Sequence, residues 1–165
     1  MFENVDVQEA IKRSMQTEKY ARDFYLLGAK HMKNQQARRT FELLAAEEVD
    51  HAKTFYDIYP GEDLPDFSEY MAFDSTPDSD WLTDLEKALM EGISERKAME
   101  LAMEKELKLE KALRDLAEKI SDDAVREVFI KNAESTHQHY ILIESEYARL
   151  MRMVHETDID IYVRE

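Results

Sequence analysis

Two tetrads of the form Glu-x-x-His, Glu48–His51 and Glu134–His137, are the residues best placed to do chemistry. Side chains three apart share one face of a helix, so each tetrad offers a carboxylate and an imidazole to the same point. That donor pair suits iron or manganese better than a soft metal. With 22 Glu and five His in 165 residues, chance supplies on the order of 0.7 such tetrads. The tetrads therefore carry weight only through the stripes on which they lie.

Each long helical stretch shows apolar residues at a 3-4 spacing, the pattern of a core-facing stripe. One runs Ile11, Met15, Glu18, Ala21, Tyr25, and the next Phe41, Leu44, Glu48, His51, Phe55, Ile58. A third runs Met99, Met103, Glu106, Leu109, Leu113, Leu116, Ile120, and a fourth Ile130, Glu134, His137, Ile141, Ala148, Met151. A carboxylate interrupts every stripe near its middle. Glu42, Glu47, Glu100 and Glu104 are read instead as solvated faces. Glu104 lies as far before Glu134 as Glu18 lies before Glu48, but its stripe would bring Lys97, Lys108 and Lys111 into the core, so Glu106 is preferred. Burying a carboxylate without a partner costs several kcal/mol, and four of them would consume much of a domain's roughly 5–15 kcal/mol of stability. Two divalent cations offset four carboxylates and leave the imidazoles neutral. The metal-ligand set expected on this reading is Glu18, Glu48, His51, Glu106, Glu134 and His137.

The elements that must position these groups are delimited by scarce breakers, three Gly and three Pro. Asp6 with Glu9 forms a capping box opening a helix over 7–33. Asn34 interrupts, a second helix spans 36–58, and Tyr59-Pro60-Gly61 stops it. All three prolines fall within residues 60–80, part of a long crossover over 59–94 that carries a short helix at Trp81–Met90. The third and fourth long helices are expected over 95–120 and 123–154, with Ser121-Asp122-Asp123 capping the fourth. The tail from Thr157 to Val163 is expected to dock as an extended segment. Two tight hairpins separated by a long connection are the arrangement of an all-α four-helix bundle with one long crossover, here a single domain over 1–165.

Composition narrows the function. Lys and Arg number 22 against 37 Asp and Glu, a formal net charge of −15, which argues against nucleic-acid binding because phosphate affinity needs clustered cations. The absence of cysteine excludes disulfides, zinc fingers, iron–sulfur clusters and thiol catalysis. No segment approaches the roughly 20 apolar residues of a membrane span, and the acidic start is unlike a secretory signal. A cytoplasmic location without membrane contact is the expectation.

One Glu, then Glu-x-x-His, one Glu, then Glu-x-x-His, on four helices with a long middle crossover, resembles the ferritin-like di-iron carboxylate proteins, and within them the rubrerythrin branch. The resemblance is carried by Thr17–Tyr25, Ala46–Ala52, Leu101–Glu106 and Ala133–His137, and the two halves also look alike. It implies two iron ions, with manganese or zinc as possible substitutes. It also implies Glu48 and Glu134 as bridging carboxylates, Glu18 and Glu106 as terminal ones, and His51 and His137 as terminal imidazoles. Tyr25, seven residues and about 10 Å along the helix from Glu18, matches a tyrosine that bonds a ligand of another helix; an ordinary core tyrosine is the other reading.

The departures are specific. Leu109 stands where rubrerythrins carry a further Glu, and no cysteine-ligated rubredoxin domain is present. Glu144 lies on the fourth stripe two turns past His137, with no role assigned. The resemblance implies a redox enzyme that reduces hydrogen peroxide or dioxygen, drawing electrons from an external donor (a rubredoxin-like protein or another reductant), in a homodimer. An iron-handling or ferroxidase protein feeding storage is the alternative. A bundle stapled by metal without turnover is the third.

Overall fold

Side-chain caps begin the long helices where the sequence places Asp, Asn and Ser. The computed structural model describes residues 6–72, 80–90 and 94–163. Helices α1 (Val7–His31) and α2 (Gln35–Ile58) form the first hairpin, α3 (Phe67–Ala72) and α4 (Asp80–Met90) lie in the crossover, and α5 (Glu95–Lys119) and α6 (Asp123–Val163) form the second hairpin. Asp6 accepts from the Glu9 amide, Asn34 from Ala37, and Ser94 from Lys97, each satisfying one of the amide donors that a helix start leaves unpaired. Three-residue turns close both hairpins, so each pair is antiparallel. Packing is densest within each hairpin, and the two join with α1 against α5 and α2 against α6.

The second hairpin repeats the first at a constant offset of 88 positions. The caps Asp6 and Ser94 are related by it, as are the helix ends Met32 and Ile120. Arg38 donates to the Met32 carbonyl at 2.8 Å, and Arg126 donates to the Ile120 carbonyl at 3.2 Å. Buried core residues follow the same offset: Ile11 with Met99, Phe41 with Phe129, Ala45 with Ala133, Phe55 with Ile143. Each fully buried Ile, Met or Phe among them contributes about 1.5–3 kcal/mol. At the seam of the first hairpin a glycine allows close approach. A Cβ on Gly28 would lie 2.7 Å from Cε2 of Phe41, so only glycine lets that ring rest on α1.

Charged side chains pin the crossover. Lys105 of α5 donates to Asp84 of α4 at 3.0 Å, and the Lys19 ammonium sits 5.1 Å above the Tyr70 ring of α3. Asp66 caps α3 by accepting from the Glu69 amide at 2.9 Å, a short helix the apolar pattern did not reveal. Two further expectations are corrected. The first and third long helices end at His31 and Lys119, slightly earlier than the apolar pattern implies. The tail is not extended: α6 continues to Val163, because no Gly or Pro interrupts residues 123–163. Among the described residues no helix is long and apolar enough to cross a membrane.

Candidate metal centre

Four helices each present a polar group to the middle of this core. Glu18 comes from α1, Glu48 and His51 from α2, Glu106 from α5 and His139 from α6; the three carboxylates are fully buried. Glu48 lies at the centre. His139 Nδ1 is 2.9 Å from its Oε1, and His51 Nδ1 is 3.4 Å from its Oε2. The flanks are occupied in matching fashion, Glu18 at 3.4 Å from His51 Nδ1 and Glu106 at 3.6 Å from His139 Nδ1. Ligand atoms of Glu48, His51 and His139 all lie within 4.8 Å of one another.

These atoms lie at ion-pair distance without forming hydrogen bonds to one another. Both oxygens of Glu18 and Glu48, Oε2 of Glu106 and Nδ1 of both histidines are buried with no hydrogen bond among the described residues. Buried polar groups are normally paired, and each exception calls for a cause. Carboxylate and imidazole lone pairs converging on one space have the donor chemistry of a divalent cation site. The outer nitrogens of the imidazoles are, in contrast, held. His51 Nε2 meets Ser135 Oγ at 2.7 Å, and His139 Nε2 meets Glu47 Oε2 at 2.6 Å. Each of these contacts crosses from one hairpin to the other, and it fixes Nδ1 as the inward nitrogen, as expected of metal-ligating histidines. Tyr25, fully buried, donates to Glu106 Oε1 from across the bundle.

In the absence of a cation, protons do the neutralising. Burial, reinforced by the Glu48 charge, pushes Glu18 well up and Glu106 up to about 7. Burial alone would also raise Glu48, but Glu18, His139 and His51 outweigh it and hold that carboxyl below its ordinary range. Burial disfavours the imidazolium of both histidines. The neighbouring carboxylates outweigh it, raising His51 to about 11 and His139 to about 10. These are protons that a bound divalent cation would displace.

The structure brings together Glu18, Glu48, His51 and Glu106, with Tyr25 in contact, and leaves out Glu134 and His137. Glu134 is exposed. The His137 side chain is 42% exposed and meets Glu110 at 2.9 Å, and Arg114 meets the same carboxylate. Exposed Ile141 and Ala148 belong to that outer face too, whereas Phe129, Ala133, Thr136, His139 and Ile143 face inward and are buried. Glu144 is exposed as well and accepts from Tyr140. The sequence did contain the signal for the correct register. The 30 positions from Glu18 to Glu48 recur from Glu106 to Thr136, so the counterpart of Glu48-x-x-His51 is Thr136-x-x-His139.

The family model described as Rubrerythrin matches residues 9–150. Neither a curated protein nor a solved structure matches the chain.

Proposed function

As the chain belongs to the rubrerythrin family, we propose that its buried cluster holds a pair of iron ions and that the protein is a redox enzyme reducing hydrogen peroxide or dioxygen. Glu18, Glu48 and His51 would hold one ion, and Glu106, Glu48 and His139 the other. The observation that carries this reading is the convergence of buried carboxylate and imidazole atoms that no hydrogen bond satisfies. Bound iron would supply two electrons on passing from the ferrous to the ferric pair, and hydrogen peroxide taking up these with two protons gives two waters.

The chain's own residues provide the rest. Ser135 and Glu47 orient the imidazoles, and Tyr25 holds one oxygen of Glu106. Glu47 is 42% exposed, so the contact to His139 links the buried cluster to solvent and offers protons a short route inward. These 165 residues contain no cysteine to hold a rubredoxin-type iron, so on this reading the electrons reach the cluster from a donor outside them.

Anaerobic loading with Fe(II), followed by one equivalent of hydrogen peroxide, tests the proposal. Ferric absorbance should develop as peroxide disappears, with two irons oxidised per peroxide. Iron that binds and stays ferrous would overturn it. Particle mass separates this reading from storage, since a mineral core needs a closed shell of many subunits.

A further inference from the structure

Among the inward carboxylate and imidazole positions of the cluster, 136 is where the repeat breaks. Glu18 and Glu106, and His51 and His139, are equivalent pairs at the offset of 88, and at the same offset the central Glu48 pairs with Thr136. Even the outer contacts keep the symmetry, since Glu47 and Ser135 precede this pair. Thr136 is fully buried. It lies one turn before His139 on the face that carries the cluster, and its hydroxyl oxygen has no hydrogen bond among the described residues. A buried hydroxyl without a partner is costly, so this one calls for an occupant beside it.

Charge and shape point to the same occupant. Two divalent ions bring four positive charges, and Glu18, Glu48 and Glu106 return three. One positive charge is left in a buried site, where an uncompensated ion is costly. Threonine in place of glutamate lacks the terminal carboxylate, and that group is what the frame supplies at the matching position through Glu48. We infer that Thr136 leaves the bridging position opposite Glu48 to a small exogenous carboxylate of formate's size, which accepts from the Thr136 hydroxyl and completes the site when the second metal ion binds. This rests on the metal-site reading of the cluster.

Equilibrium titration with Co(II), in buffer free of carboxylates and followed by visible absorbance and bound metal per chain, tests it without turnover. In the wild type the first ion should bind irrespective of formate. The apparent affinity for the second should rise about tenfold with formate at ten times its dissociation constant. Thr136→Glu should bind two ions without formate. Thr136→Val, which keeps the side-chain shape and removes the hydroxyl, should weaken the formate dependence while the first ion binds as before. Two equivalents bound equally with and without formate in the wild type would overturn the inference, as would one equivalent under every condition. No bound Co(II) at all would overturn the metal-site reading and the inference with it.

Discussion

The imidazole rings of His51 and His139 stack 5.0 Å apart and 7° from parallel. Each turns Nδ1 toward Glu48 and Nε2 toward a residue of the opposite hairpin. Two rings from different hairpins adopt this mirrored arrangement because the second hairpin repeats the first, and α2 and α6 are the helices that meet.

Ligand identity on α6 is open to a direct comparison. His139→Ala should lower bound metal per chain sharply, by more than about tenfold in affinity. His137→Ala and Glu134→Ala should leave it unchanged, because both side chains lie on the outer face. Metal analysis after dialysis against a weak chelator reads the difference; equal losses in His137→Ala and His139→Ala would contradict the placement of α6.

The outer contacts should matter for metal without being ligands. Glu47→Ala and Ser135→Ala leave the inward atoms in place but release His139 and His51 from their orienting partners, and each should weaken metal binding by about 10–100-fold. Competition with a chelator of known affinity measures this. Unaltered affinity in both variants would show that packing alone orients the rings.

Metal uptake should release protons. His51 and His139, raised to about 11 and 10 by their carboxylate neighbours, are protonated at pH 8 in the metal-free protein, and a ligating imidazole is neutral. Binding at pH 8 should therefore release about two protons from these rings, and metal affinity should climb with pH. For the metal-free fold the sign is the reverse. Folded-state values above the ordinary 6.5 stabilise it fully at pH below that value, and the contribution is lost as pH rises through about 10–11. Proton release in weakly buffered solution and thermal unfolding of the metal-free protein across that alkaline range check the two halves separately.

Tyr25→Phe removes the one described hydrogen bond to Glu106 and keeps the ring that packs edge-on against Phe24 and Phe41. Leaving that carboxylate oxygen buried without its donor should destabilise the metal-free protein by about 1–3 kcal/mol, with helix content preserved. Urea unfolding followed by circular dichroism gives the value, and a midpoint equal to wild type would mean that Glu106 finds another donor.

Gly28→Ala probes the seam of the first hairpin. Alanine improves helix propensity by about 1 kcal/mol, but its Cβ would meet the fully buried Phe41 ring, and overpacking of this kind costs about 1–3 kcal/mol. The balance should lower Tm by a few degrees. A higher Tm would show that the Phe41 ring shifts freely.

Helix periodicity alone was enough to find most of the scaffold and three of the four helices' contributions to the site. Ile11, Met15, Glu18 and Ala21 leave α1 a single plausible inward face; Phe41, Leu44, Glu48 and His51 do the same for α2, and Met99, Glu106 and Leu113 for α5. The repeat of 88 positions was also present in the sequence, and following it from Glu106 leads to Thr136 and His139. On α6, however, the residues support two stripes. Ile130, Glu134, His137 and Ile141 have the expected composition and the expected tetrad, while Phe129, Ala133, Thr136, His139 and Ile143 have the burial.

Only docking chose between them. Phe129 packs on Phe55 with ring centroids 5.0 Å apart, and Asn132 donates to Thr54 at 2.9 Å, contacts that turn His139 inward and His137 out. Residue types and their spacing thus determined the helices, their caps, the paired hairpins and the presence of buried carboxylates in α1, α2 and α5. The rotation of α6 was decided by its neighbours: a helix with apolar residues on two faces buries the one that complements the surface it lands on, and that surface belongs to residues far away in the chain.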